Sequence, residues 1–387
     1  MLVAAIAIPA VGGHGGAGFV AAADEVNLKP VDLAEPPPAE VTIVRDAKGG
    51  EIARFYEEYR EIVGLDEIAE QMRTAIVAIE DFRFYEHGAI DVEGTLRALA
   101  TNLQTGRTSQ GGSSITQQYV KQVLLNSAGT EAERNAAIEA SYARKLNELR
   151  YAMGIEQKYT KDQILEKYLN IAYFGASAYG VEAAAKRFFG VHAADLTLAQ
   201  AATLAGAVQD PNATDPNLGP EHRERLLHRR NVVLNRMAEL GKITAAEAAA
   251  AKATKLGYKG TRLPGGCEAS KYPYFCLYVR HEILSNPDFG RTAKARLAML
   301  NRGGLTIRTT LDPVAQAAAE RAIKRYVHAS DRPVAAEALV QPGSGAIRAM
   351  AASRRYGPDA RKNEISYNVV ADTAHGGAVS DCSRARR

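Results

Sequence analysis

The sequence predicts a mainly α protein: a helical domain, then a linker, then a shorter and incomplete α/β piece. Three observations predict it. Apolar residues recur at helical spacing after Asp66, as in Ile68, Met72, Ile76 and Ile79. Three Thr-x-x-Gln/Glu capping boxes, Thr160 with Gln163, Thr197 with Gln200 and Thr244 with Glu247, each mark a helix start. After Gly304 the period falls to two, with "LTIRTTLD" alternating as a strand. At 387 residues, 46% apolar and 24% charged, the chain has the make-up of a globular protein with room for two or more domains. A net charge of +4 gives no sign of nucleic-acid binding and suits an anionic membrane surface or substrate.

Taken in order, residues 1–23 come first. Leu2–Ala23 carries no formal charge and is long enough for a bilayer, which takes about 20 residues. Pro9 and five glycines spoil that span, so the expectation is a remnant signal anchor, with a flexible leader as the alternative. Residues 24–64 read as a Pro-rich linker leading to two short strands around Lys48-Gly49-Gly50.

From 65 to 255 helix signals dominate. They comprise the Asp66 helix, one over Val92–Gln104, and "SSITQQYVKQVLL", which serines cap after a flexible "TSQGG". A long Glu131–Ile155 helix follows, then helices over Ala178–Phe189 and Pro220–Leu240. Residues 256–303, rich in Gly, Pro and Tyr, read as a linker. Within it Cys267 and Cys276 stand nine apart, which does not suit the usual zinc pairs, and no second pair accompanies them. A loop-closing disulfide in an oxidising compartment is the better reading, and Cys382 is left over. The region 304–387 then offers a strand, the helix "PVAQAAAERAIKRYV", and two strands in "EALVQPGSGAIRAMAAS" around a Pro-Gly turn.

Five polar clusters fall within the helical region. "EDFRFYEH" sets Glu80, Asp81, Phe84 and His87 directly after the apolar run Ala75–Ile79. "GGSSITQQYVK" offers Ser114, Thr116, Gln117, Gln118 and Lys121 after a Gly-rich turn. In "RKLNE", Arg144 and Lys145 precede Glu148 by four and three residues, so both cations neighbour that carboxylate on one helix face. "KDQILEKYLN" puts Glu166 and Asn170 on a shared face, and "RRNVVL" adds Arg229 and Arg230. Singly, each has a plain structural account. These are a solvated helix end, a polar helix face, a surface ion pair, a buried carboxylate satisfied by helix-terminal amides, and a histidine bonded to a backbone carbonyl.

In this order, across residues 80–234, the five motifs resemble the glycosyltransferase family 51 domain of class A penicillin-binding proteins. Ala89 stands where that family often has Gly, and Ser114 where it often has Thr, which keeps the hydroxyl. The resemblance implies a lysozyme-like helical fold and a peptidoglycan glycosyltransferase that polymerises lipid II and releases undecaprenyl diphosphate. Glu80 would be the general base for the acceptor 4-hydroxyl, in an apolar, aromatic setting that raises its pKa. Lys121, Arg144 and Lys145 would surround the departing diphosphate. Glu148 would be the second essential glutamate, orienting these cations or helping to hold a metal. Thr116 and Gln117 would donate to phosphates or sugars beside Asp81, Phe84, His87, Ser114 and Gln118, with Glu166, Asn170 and Arg230 supporting the cleft.

A diphosphate leaving group suits a divalent Mg2+ or Mn2+ ion, although the sequence displays no dedicated metal site, and no organic cofactor is expected. The implied partners are lipid II, the nascent glycan strand, the outer face of the cytoplasmic membrane and a cell-wall synthesis complex. Two other classes stay open. A lysozyme-like hydrolase also uses carboxylates in a helical cleft but has no need of cations for a diphosphate. A non-catalytic cell-wall scaffold could dispense with one of the glutamates, yet both are present.

From Leu305 the chain resembles the start of a penicillin-binding transpeptidase domain, in "LTIRTTLDPVAQAAAERAI", "ALVQPGSGAIRAMAASRRYG" and "SYNVVAD". That family's Ser-x-x-Lys and Lys-Thr-Gly motifs occur nowhere in the 387 residues, and "SYN" fits Ser-x-Asn by letters only. Transpeptidase activity is therefore not expected. The tail "DCSRARR" stands where the nucleophile motif would come. One permitted back-translation of it, moved back by a base, reads Leu-Gln-Pro-Gly-Ser-Thr and can continue Leu-Lys. That makes a frameshifted or miscalled coding sequence the expectation.

Overall fold

The structure is a computed structural model that describes residues 29–89, 91, 113–128, 130–139, 141–263 and 265–377. The expected leader at 1–23, the Val92–Gln104 helix, the "TSQGG" turn and the tail with Cys382 lie outside the described residues. The chain divides into two compact units. One takes residues up to Pro38 together with Arg60–Thr261, and the other takes Ala39–Tyr59 together with everything from Arg262.

The first unit is helical. Helix α1 (Glu70–Glu80) forms where the apolar spacing predicts it and buries Met72, Ala75, Ile76 and Ala78. Full burial of a side chain such as Met72 or Ile76 stabilises the fold by about 1.5–3 kcal/mol. Next come α2 (Ile115–Ser127), α3 (Glu131–Ile138) and α4 (Tyr142–Lys158). The expected long Glu131–Ile155 helix is thus two. Ser141 caps a new helix by accepting from the Arg144 N–H, an alternative to continuing the ladder that serine offers its own backbone.

Helices α5 (Lys161–Ile171), α6 (Val181–Phe189), α7 (Leu198–Ala207), α8 (Pro220–Glu239) and α9 (Ala245–Ala253) complete the unit. All three capping boxes form at the starts of α5, α7 and α9. Helix α7 is nearly all small and buried, and α1 packs against it and against α8. Gly206 permits the α7–α8 approach, because a Cβ there would meet the Arg229 carbonyl carbon at 3.0 Å and the Arg230 nitrogen at 3.1 Å.

Residues 29–38 run as an extended strap over α2, α4 and α5. The Val31 N–H donates to the Arg150 carbonyl at 3.1 Å, and a Cβ on Gly154 would lie 2.3 Å from the Val31 oxygen. Glu35 accepts from Tyr119 at 2.5 Å, Tyr159 at 2.9 Å and Lys158 at 3.0 Å, with Lys167 at 3.5 Å. Burial acts to raise its carboxyl pKa, but these partners outweigh it and hold the value below the ordinary range.

The second unit holds strands β1 (Thr42–Arg45) and β2 (Glu51–Phe55), the expected hairpin, turned by Asp46 accepting from the Lys48 and Gly50 N–H groups at 2.8 and 2.9 Å. Strand β3 (Thr306–Arg308) pairs in parallel with β1, closing a three-stranded sheet in the order β2-β1-β3.

Residues 256–303 differ from the linker expectation, since they carry α10 (Pro273–Ser285) and α11 (Ala293–Arg302). Pro273 sits in the first turn of α10, where its missing N–H costs nothing, so a composition that reads as loop opens a helix. Cys267 and Cys276 form the expected disulfide, beside a core of Val44, Phe55, Phe275, Leu300 and Met350. Helix α12 (Pro313–Tyr326) packs on the antiparallel pair β4 (Ala336–Val340) and β5 (Ile347–Ala352), and β6 (Arg355–Tyr356) pairs with β7 (Glu364–Ile365). No helix among the described residues is long and apolar enough to cross a membrane.

Candidate active site

Glu80 is the last residue of α1. Its Oε2 accepts from the Gln118 amide nitrogen at 2.8 Å, and the Gln118 oxygen in turn accepts from the Tyr168 hydroxyl at 2.9 Å. The residue keeps some exposed surface, yet packing around the carboxyl pushes its pKa up. The Gln118 hydrogen bond and the Arg229 charge pull it partly back, and the neighbouring Asp81 charge adds to the rise.

Asp81 points the other way. Its Oδ1 lies 2.7 Å from His87 Nε2, and its Oδ2 accepts from the Ile115 N–H at 3.1 Å, the first residue of α2. A carboxylate there complements the positive end of the helix, where Ser114 also caps by accepting from the Gln117 N–H at 3.3 Å. His87 Nδ1 lies 2.6 Å from the Gly88 carbonyl, which only accepts, so that nitrogen carries a proton. Burial lowers the His87 pKa, but Asp81 and the Gly88 carbonyl outweigh it and leave it raised. Ala89, at the family's frequent Gly, does not have a positive φ, and its carbonyl accepts from the Gln117 amide at 3.1 Å.

A cationic cluster lies along α4. Glu148 is 3% exposed and accepts from Arg144 at 2.5 Å and Lys145 at 2.7 Å, the i+4 and i+3 geometry that the spacing predicts. Lys145 also donates to Ser113 at 2.7 Å and to the Gln117 oxygen at 2.9 Å. Consecutive residues of α2 therefore lead to separate clusters, Gln118 to Glu80 and Gln117 to Lys145 and Glu148. Lys121, one turn beyond Gln117, is half-buried and makes no ion pair among the described residues.

Several of the expected site residues make contacts within the protein framework. Phe84 is fully buried, with Lys161 Nζ 4.5 Å above its ring. Thr116 donates to Glu156 at 2.5 Å, and both ends of the Gln117 amide are engaged within the protein. Glu166 accepts from the Leu65 N–H at 2.9 Å, and Asn170 bonds both the N–H and the carbonyl of Val63, so the pair clamps the segment before α1. Arg230 is 1% exposed and donates to the Thr254 and Lys252 carbonyls, satisfying the end of α9. Among the described residues, the cation acting on Glu80 is the adjacent Arg229.

Sequence reasoning missed three groups. Tyr168 sits within "KDQILEKYLN", where only Glu166 and Asn170 stand out by charge and polarity. Arg229 sits within "RRNVVL", where nothing distinguishes it from Arg230. Glu156 carried no signal.

Two arrangements bear on a metal. Ligand atoms of Asp81, His87 and Asp91 lie within 4.8 Å of one another, but Asp81 is bonded to His87 and Ile115, and Asp91 pairs with Arg83 at 2.8 Å. Both Glu148 oxygens are taken by cations. Neither set fits a resident metal ion as it stands.

A family model described as Transglycosylase matches residues 48–238. Among curated relatives, Penicillin-binding protein 1F of Bacillus subtilis (strain 168) is 32% identical over 314 residues, covering 80% of this chain and 41% of that protein. Penicillin-binding protein 1A/1B of the same organism is 38% identical over 277 residues, covering 70% of this chain and 28% of its own length. Penicillin-binding protein 1A of Escherichia coli (strain K12) is 35% identical over 306 residues, covering 79% and 32%. The chain thus spans less than half the length of these relatives. The crystal structure of Penicillin-Binding Protein 1A from Haemophilus influenzae covers 77% of this chain and 30% of its own at 21% identity and a TM-score of 0.37, too slight a likeness to argue from.

Proposed function

This chain belongs to the transglycosylase family that class A penicillin-binding proteins share, and from that membership we propose that its helical unit is a peptidoglycan glycosyltransferase. The substrate would be lipid II and the growing glycan strand. In the reaction, the acceptor 4-hydroxyl oxygen forms a bond to the donor anomeric carbon. The bond from that carbon to the diphosphate oxygen breaks, and undecaprenyl diphosphate leaves with the electron pair. The hydroxyl proton passes to Glu80. A single displacement of this kind inverts the anomeric centre.

The observation that carries the reading is the division of labour about α2. A carboxylate kept basic by burial stands on one side, and a cationic cluster ordered by Glu148 stands on the other. A sugar hydroxyl is a poor nucleophile, and a positioned base typically contributes about 10²–10⁴-fold in rate. The leaving group is an anion and calls for charge rather than a proton, which Lys145, Arg144 and Lys121 would supply. A hydrolase would have no use for that cluster.

A divalent Mg2+ or Mn2+ ion enters this proposal only as a companion of the diphosphate, and no step depends on it. We place the unit at the outer face of the cytoplasmic membrane, a reading the Cys267–Cys276 disulfide supports, because such bonds persist in oxidising compartments. A cell-wall synthesis complex is the setting in which it would work. Incubating the purified protein with lipid II and sizing the products on a gel tests the proposal. Polymeric glycan is the expected result, and unchanged lipid II overturns it.

A further inference from the structure

Tyr168 is among the most deeply buried polar groups of the helical unit, 1% exposed on α5. Its hydroxyl donates to the Gln118 side-chain oxygen at 2.9 Å. Burial and the nearby Glu80 charge push the phenol well above its usual pKa, so it keeps its proton and donates. That donation settles which way the Gln118 amide faces. With the oxygen committed to Tyr168, the NH2 group points to Glu80 Oε2 at 2.8 Å. The reverse orientation would set an amide oxygen against a carboxylate.

We infer that Tyr168, acting through Gln118, is a positioning residue that fixes the Glu80 carboxylate in its proton-accepting orientation, with Oε2 held and Oε1 left to the acceptor hydroxyl. The inference rests on the reading of Glu80 as the base. An NH2 group can only donate, so it favours the ionised carboxylate over the neutral acid. Among the described residues, the charged or titratable groups that face Glu80 are Asp81 beside it, Arg229 from α8 and Tyr168 from α5. Helix α7, packed on α1, contributes none.

The experiment is lipid II polymerisation by the full chain from about pH 5 to 9, with kcat and KM measured separately. In Tyr168→Phe, Gln118 is released and the Glu80 carboxyl loses a firmly held donor. The acid limb of kcat then moves to higher pH, with kcat several-fold lower near pH 6, recovery at alkaline pH, and KM little changed. A uniform loss with the acid limb unmoved, or an unchanged profile, overturns the inference. Should Tyr168→Phe fail to fold, Gln118→Leu is read by the same limb, and an unmoved limb overturns the inference equally. Glu80→Gln separates the two claims, because turnover in that variant removes the base itself rather than its support.

Discussion

The Asp81 carboxylate and the His87 imidazole meet at 2.7 Å, each side chain only 5% exposed, and Asp81 extends its other oxygen to the first amide of α2. One residue thus joins the turn after α1 to the helix that carries both glutamines.

This pair should show in stability as a function of pH. The His87 pKa is raised in the folded state, so its contribution is fully present below about 6.5 and is lost as pH rises through the folded value. The Tm deficit of His87→Gln is therefore expected to be larger at pH 6 than at pH 9. Asp81→Asn should cost about 1–3 kcal/mol and lower the His87 titration point, read by NMR.

Glu80 shifts stability with pH in the same direction, although here it is the charged form that the fold disfavours. Its carboxyl pKa is raised, so the folded state favours the neutral acid, and ionising the group costs stability as pH climbs from about 4.5 through the folded value. Glu80→Gln should lose about 100-fold or more in turnover while still binding lipid II. At neutral pH its Tm should be no lower than that of the parent. A clear fall in Tm would show that the carboxylate supports the fold.

Glu148→Gln leaves Arg144 and Lys145 facing a neutral amide, and a severe loss of polymerisation is expected, together with about 1–3 kcal/mol of stability in chemical denaturation. Replacing Lys121 or Arg144 by Ala should weaken binding of moenomycin-type phosphoglycolipids about tenfold or more, measured by calorimetry at low salt. Equal affinity in these variants would remove both from the diphosphate site.

The disulfide closes a short loop, so Cys267→Ser with Cys276→Ser should lower the stability of the second unit by about 2–3 kcal/mol. Alkylation followed by mass spectrometry should find neither thiol free before reduction.

Labelled penicillin should leave the chain unmodified, because no serine in the 387 residues has lysine three positions on. A covalent adduct seen by gel fluorescence would reveal a nucleophile outside that motif.

Much of the helical unit is legible in the sequence because its signals are local. Thr160, Thr197 and Thr244 each cap the helix they predict, since a capping box is satisfied within four residues. The Arg144–Lys145–Glu148 cluster is legible for the same reason, lying within a turn and a half of one helix. What eludes the sequence depends on partners far along the chain. Arg229 and Arg230 are adjacent letters, but successive helical side chains point about 100° apart, and only the packed neighbours decide which meets Glu80. Glu35 sits in a Pro-rich stretch that reads as linker, yet its partners lie 84 to 132 positions later. The two helices within 256–303 were hidden by composition, since Pro273 reads as a breaker unless it stands at a helix start.

The strap over α4 decides how the molecule can be taken apart. A fragment begun at Arg60 would strip the anion from Tyr119, Tyr159, Lys158 and Lys167 and bare the groove above Gly154. A fragment from Lys29 to Thr261 keeps the anion but also carries the hairpin β1–β2, severed from β3. A two-stranded hairpin alone is marginal in water, and its open edge invites pairing with other copies. The two units are therefore interleaved along the chain, and cutting between them trades a loosened helical core for a sticky ribbon. A soluble helical fragment calls for residues 39–59 to be replaced by a short polar connector rather than for earlier or later ends.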